Sequence, residues 1–223
     1  MPSLTAMTWR GTALRLTLII LAALAAFGWC LQTPWYMDDQ LHLFKNQKLL
    51  DDQWEFKYAK WRMWTYVVWI SLKHAVGGGV IDHAQAFHAL NLAMHVAIAV
   101  ALFFLLRKLW SFRPDATDKG AATFAMWGAL VFAVHTVCSE VPHYAAQTSI
   151  QWVTLFSLLA GIAGLSILRR PGWVPERFAM PWLVLSIVSM VLWIGLATFS
   201  KEVGFLYSAV IPFFLMGMLA PWN

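Results

Sequence analysis

Asp38 and Asp39 stand side by side just beyond a long apolar run, Ala13–Leu31, in which Arg15 is the single charge. Adjacent ionised carboxylates repel each other, and a pair kept at the edge of apolar sequence serves a cation, a proton or a polar substrate. A solvated turn over Tyr36-Met37-Asp38-Asp39-Gln40 is the competing reading. His135 and Glu140 flank the end of another apolar run, and Lys201 and Glu202 fill a tight turn after a third. Alone, Lys201-Glu202 reads as a solvated turn. Acidic motifs gathered on one membrane face are harder to explain that way, because ionisable groups beside spans are costly unless paired or hydrated.

A second polar set, His88, Asn91 and His95, has helical offsets that place all three on one stripe. Interhelical hydrogen bonding suits the deeper His95, whereas His88 and Asn91 lie near the outer end of their run and are candidates to line a cavity. No His-Glu-x-x-His spacing is present, so no metal site is assigned, and a divalent ion is left open. Neither a Ser-His-Asp arrangement nor a nucleophile elbow is visible.

The elements that must position these groups are membrane helices. The chain is 60% hydrophobic and 12% charged, with 14 tryptophans, whereas soluble domains carry roughly 25% charged residues. Its +5 net charge fits the loop bias that orients spans better than it fits a nucleic-acid partner. Six spans can be drawn: Ala13–Leu31, Ala86–Leu106, Ala121–Val137, Ile150–Leu168, Trp182–Phe199 and Phe205–Leu219. The first reads as an uncleaved signal anchor. Lys and Arg concentrate at Arg10 and Arg15, at Arg107, Lys108, Arg113 and Lys119, and at Arg169, Arg170 and Arg177. By the positive-inside rule both termini are cytoplasmic. The expectation is an all-α, multi-pass membrane helix bundle, residues 1–223 forming one domain, in a bacterial inner membrane. Cys30 and Cys138 read as small packing residues, with a disulfide as the weaker alternative.

The loop from 32 to 85 then lies outside. Tryptophans at Trp54, Trp61, Trp64 and Trp69 and balanced charges describe a small folded cap. Trp61–Val76 is apolar but short, with Arg62, Lys73 and His74 at its ends, which suits an interfacial or re-entrant helix. Gly77-Gly78-Gly79 ends it as a turn. It is not a phosphate loop, since no strand precedes it and no Gly-Lys-Ser/Thr follows.

Taken together these segments resemble the GT-C superfamily of polyprenyl-phosphate-sugar glycosyltransferases, closest to the transmembrane and tetratricopeptide-repeat O-mannosyltransferases and their bacterial relatives. Tyr36-Met37-Asp38-Asp39 followed by Asn46 is similar to the family's aromatic-x-Asp-Asp…Asn pattern. Arg62 falls where the family has Arg-Pro-Leu, with Met63 in place of the proline. His88-x-x-Asn91-x-x-x-His95 resembles its His-x-x-Asn-x-x-x-His helix. Phe132-Ala133-Val134-His135 through Glu140 resembles its Phe-x-x-His-Pro-x-x-x-Glu turn, with Thr136 for the proline, and Phe199-Ser200-Lys201-Glu202 its Leu-Ser-Lys-Glu turn. Two departures stand out. The family's Gly-Arg-x-Asp-like stretch reads Gln147-Thr148-Ser149-Ile150 here, and the chain matches only the N-terminal half of a typical member.

The resemblance implies transfer of a sugar from a polyprenyl-phosphate donor to an acceptor hydroxyl at the periplasmic face. By that likeness Asp38 is the general base, Asp39 and Glu140 orient hydroxyls, and Arg62 and Lys201 contact phosphate. His88, Asn91, His135 and Glu202 complete the expected substrate site. No cofactor is implied beyond the lipid-phosphate sugar. The expected partners are the bilayer, that donor, and a partner membrane protein or missing C-terminal half. Two alternatives stand beside it: a non-catalytic membrane subunit of a larger complex that keeps a truncated GT-C-type fold, and, more weakly, a small transporter, for which no inverted repeat shows.

Overall fold

Each long apolar run folds as an α-helix, the form that satisfies backbone N–H and C=O groups within one segment and so suits lipid. The computed structural model describes residues 9–35, 39, 43, 45, 49, 51, 62–77, 83–169, 171 and 174–219. Its main helices are α1 (Trp9–Phe27), α2 (Met63–Val76), α3 (Ala84–Trp110), α4 (Asp118–Val134), α5 (Thr148–Leu168), α6 (Ala179–Thr198) and α7 (Gly204–Leu219). A 3-10 turn, Gly28–Gln32, continues α1, and short turns at Thr136–Ser139, Glu140–His143 and Ala145–Gln147 join α4 to α5. Among the described residues there is no strand.

Four segments are long and apolar enough to cross a membrane: Arg10–Gln32, Ala84–Trp110, Ala145–Leu168 and Glu176–Thr198. The other two expected spans are shorter, α4 with 17 residues and α7 with 16. Both nevertheless turn apolar faces outward: Phe124, Trp127 and Val131 on α4, and Phe205, Val210, Phe213 and Phe214 on α7, are exposed. Apolar surface on this scale is a liability in water and ordinary in lipid.

The bundle divides into two groups joined along α3 and α5. In the first, α4 packs on α1 and α3; in the second, α6 and α7 pack on α5. Small residues set both contacts. Ala121, Ala125, Ala129 and Ala133 recur every fourth position along α4 and are all buried, so the backbones of α1, α3 and α4 approach closely around Ile19, Ala23, Ala99 and Phe103. On α5, Gly164 leaves room for Pro212 of α7, whose Cβ would lie 3.1 Å from a Cβ added there.

Local chemistry fixes the ends. The expected span Ala121–Val137 is shifted to Asp118–Val134, because Thr117 Oγ1 accepts the Gly120 N–H (3.1 Å) as an N-cap and His135 turns extended. Asp118 also pairs with Arg107 at 2.5 Å, pinning the short α3–α4 loop. Among the described residues between α1 and α3, Leu43, Leu49, Trp69 and Ile70 are buried together with Phe87 of α3 and Ala145 of the α4–α5 segment, forming a small cap-like core. Lys73 Nζ donates to the Leu49 carbonyl (3.1 Å), tying α2 to this cap. Gly77 stops α2 at φ +74°, a left-handed position that favours glycine; Gly78 and Gly79 lie outside the described residues. Cys30 and Cys138 are both free thiols.

Candidate functional site

Two segments far apart in sequence are stitched together where α2 begins. The first N–H groups of a helix have no partner inside it, and here the Trp64 N–H donates to the Phe199 carbonyl (2.9 Å) at the end of α6. One residue on, buried Thr65 donates through Oγ1 to the Ser200 carbonyl (3.0 Å). Arg62, at the N-cap position, reaches the same turn: Nε and Nη2 donate to Glu202 Oε1 and Oε2 at 2.8 and 3.2 Å. The turn has its own reinforcement. Ser200 Oγ donates to the Leu196 carbonyl (2.7 Å), and the Gly204 N–H donates to the Lys201 carbonyl (2.8 Å). A side chain at Gly204 would run into the Ala197 carbonyl oxygen, so the turn closes only with glycine there.

The second wall is the segment between α4 and α5, held from below by the polar stripe of α3. His88 Nδ1 donates to the Pro142 carbonyl (3.3 Å), and Asn91 Nδ2 donates to the Tyr144 carbonyl (2.5 Å). Asn91 Oδ1 accepts from Thr148 Oγ1 (2.7 Å), whose hydroxyl also lies 2.6 Å from the Ala145 carbonyl. Gln151 Nε2 donates to the Asn91 backbone carbonyl (2.8 Å). All four side chains are buried. Asp39, fully buried in the cap, approaches from the other side, and its Oδ1 accepts the Ala146 N–H (2.8 Å). His95 lies deeper, with Nε2 donating to the Ala133 carbonyl (3.1 Å) and its ring stacked on Phe132.

Between these walls is a cavity of about 110 Å³, many times the roughly 10–15 Å³ that one water needs. Helix α2 lines it with Arg62, Thr65, Tyr66 and Trp69, the loop with Ala146, Gln147 and Ser149, and the α6–α7 turn with Lys201. The lining is polar, and two cations face it. Arg62 is matched by Glu202, whereas the Lys201 ammonium makes no hydrogen bond or ion pair among the described residues. Partial burial pushes the Glu202 carboxyl up, but the Arg62 hydrogen bonds, its own backbone N–H and the Arg62 and Lys201 charges outweigh this, holding it below the ordinary glutamate range. Such a site can receive an anion or a cluster of hydroxyls.

Arg62 and Lys201 therefore line one cavity, with Glu202 paired to Arg62 and Asp39 bonded to the lining residue Ala146. His88 and Asn91 lie beneath the loop, and neither lines the space. His135 is exposed at the end of α4, where its Nδ1 accepts the Val137 N–H (3.1 Å), and Glu140 is exposed at the start of the Glu140–His143 turn; neither reaches the cavity lining. Asp38 and Asn46 lie outside the described residues. Thr65, Tyr66, Gln147 and Ser149 are cavity residues that the motifs did not identify. Thr148-Ser149 just before an apolar run is the signature of a helix start, and it was the available signal for the loop wall. Among the described residues no three His, Cys, Asp or Glu side chains gather as a metal-binding group. Burial raises the Cys138 thiol, leaving it a poor nucleophile.

Compared with known proteins, this chain matches no family model, no curated protein and no solved structure.

Proposed function

We propose that this chain is a membrane glycosyltransferase-like protein of the GT-C type, transferring a sugar from a polyprenyl-phosphate donor to an acceptor hydroxyl at the periplasmic face. The observation that carries the reading is the meeting of Arg62 and the Lys201-Glu202 turn, motifs more than a hundred residues apart, at one cavity beside apolar helices, with Asp39 bonded to the lining residue Ala146. In this proposal α4 and α7 complete six spans, α2 lies at the interface, both termini are cytoplasmic, and the membrane is the bacterial inner membrane. The apolar outward faces of α4 and α7 support the two shorter crossings.

The chemistry follows from the charges. Asp38 takes the acceptor hydroxyl proton, the acceptor oxygen bonds to the anomeric carbon, and the bond from that carbon to the phosphate oxygen breaks. The polyprenyl phosphate leaves with the electron pair, and Arg62 and Lys201 neutralise the developing charge. Asp39 is held by the Ala146 N–H in position to orient the sugar or acceptor. In membranes, Asp38→Asn is expected to abolish sugar transfer with protein level unchanged; full transfer by that variant refutes the assignment.

One observation favours the alternative of a non-catalytic subunit that keeps a truncated GT-C-type fold. Where the family carries an arginine and an aspartate, Thr148 and Ile150 are neutral, and Thr148 is committed to Asn91. The subunit reading predicts that the chain, expressed with its genomic neighbours, co-purifies with a membrane complex and never alters glycosylation. Orientation is tested separately by a cysteine at position 40, which labels from outside if the proposed topology is right and only from the cytoplasm if it is inverted.

A further inference from the structure

We propose that Glu202 is a displaceable counter-ion, holding Arg62 in a closed pair until a phosphate group enters the cavity and takes its place. The idea deepens the reading above and rests on it only in taking the anion to be a phosphate. A guanidinium has two two-point faces, and a carboxylate seated on one of them cancels most of the charge the other can offer an anion. Here Nε and Nη2 are both given to Glu202, at 2.8 and 3.2 Å. Arg62 therefore lines the cavity with that face occupied and its charge matched, and Lys201 is the cation left to draw in an anion.

The surrounding charges make the exchange physically accessible. With Glu202 in place, its carboxylate pairs with Arg62 and also acts on Lys201, so the closed site has reduced net attraction for an anion. Once Glu202 swings away, Arg62 and Lys201 act on the cavity together. The swing is cheap, because the Arg62 and Glu202 side chains are 37% and 50% exposed and solvent-exposed pairs are weak. Glu202 keeps its backbone anchor, since the turn around it is held by the Thr65–Ser200 and Gly204–Lys201 bonds and not by its carboxylate. The depressed titration of Glu202 keeps it charged throughout the neutral range, so the competition operates at every working pH.

Calorimetric titration of the detergent-solubilised full chain with inorganic phosphate and with farnesyl phosphate tests this. Glu202→Gln is expected to tighten binding of at least one probe by about fivefold, the upper worth of a half-exposed pair. Glu202→Asp, which keeps the charge but shortens the reach, serves as a second variant and is expected to tighten binding by less. Lys201→Gln should weaken binding in either background. An equal gain for both probes supports displacement by a free anion, and a gain confined to farnesyl phosphate supports displacement by a lipid headgroup. Equal affinity of the wild type and both Glu202 variants overturns displacement while leaving a phosphate-binding cavity standing. Binding indifferent to Lys201→Gln lies elsewhere and also overturns it. No binding of either probe by any form overturns both this inference and the phosphate role of the cavity.

Discussion

Replacing Asn91 with leucine tests whether the polar stripe of α3 builds the cavity wall. Leucine fills a similar volume but removes the donor to the Tyr144 carbonyl and the acceptor for Thr148, while the Gln151 bond to the Asn91 backbone survives. The two losses are unequal. Thr148 can give its hydroxyl proton to the Ala145 carbonyl, 2.6 Å away, so that side costs little. The Tyr144 carbonyl keeps the Gln147 N–H (3.0 Å), so losing its Asn91 donor costs about 0.5–1.5 kcal/mol. For a chain of this length each kcal/mol lowers the thermal midpoint by roughly 2–4 °C, so Asn91→Leu should lower it by about 2–4 °C in detergent, taking about 1 kcal/mol as the central value. Thr148→Val alone should cost less than Asn91→Leu. A double-mutant cycle between them should return a coupling of about 0.6 kcal/mol, the average of polar contacts measured between membrane helices. A midpoint unchanged by Asn91→Leu, or strictly additive variants, would refute the idea that α3 holds the loop.

Other consequences follow from the same geometry. Gly204→Ala forces a Cβ against the Ala197 carbonyl, so the backbone of the α6–α7 turn must move; a cost of about 1–3 kcal/mol or more is expected, read as a lower thermal midpoint and reduced folded yield. Ala129→Leu overpacks the fully buried α4 stripe and should destabilise by about 1–3 kcal/mol, while Trp127→Ala, on the exposed face of the same helix, should leave the detergent-solubilised midpoint nearly unchanged. Because the Glu202 carboxyl is lowered in the folded chain, its contribution is present above the unfolded value and is lost as pH falls through the folded one. Carboxyl NMR should therefore place the Glu202 midpoint below that of an ordinary glutamate, and Arg62→Gln should raise it.

The apolar runs made the helices legible, because a membrane span announces itself by length and composition. Boundaries moved by a few residues where capping chemistry intervened, as at Thr117, which starts α4 three residues ahead of the expected Ala121. The interfacial segment expected at Trp61–Val76 is the helix Met63–Val76. The one-face spacing of His88, Asn91 and His95 predicted correctly that they share a stripe, and all three are buried and bonded to carbonyls of neighbouring segments. Spacing cannot say what a stripe faces, and here His88 and Asn91 face the loop rather than the cavity. The cavity itself was half legible. Arg62 and Lys201 came from motif likeness, but Thr65, Gln147 and Ser149 are ordinary polar residues whose role exists only because α2, the α4–α5 segment and the α6–α7 turn meet in space. The alanine repeat of α4 was readable as a close-packing face and went unnoticed among so many apolar residues.

The most direct test of the account is sugar transfer from a labelled polyprenyl-phosphate sugar in membranes containing the chain and its genomic neighbours. The account predicts transfer by the wild type and its loss in Asp38→Asn and in Lys201→Gln at equal protein level. Transfer that survives both substitutions, or absent transfer from a wild-type chain that co-purifies with a complex, would contradict it.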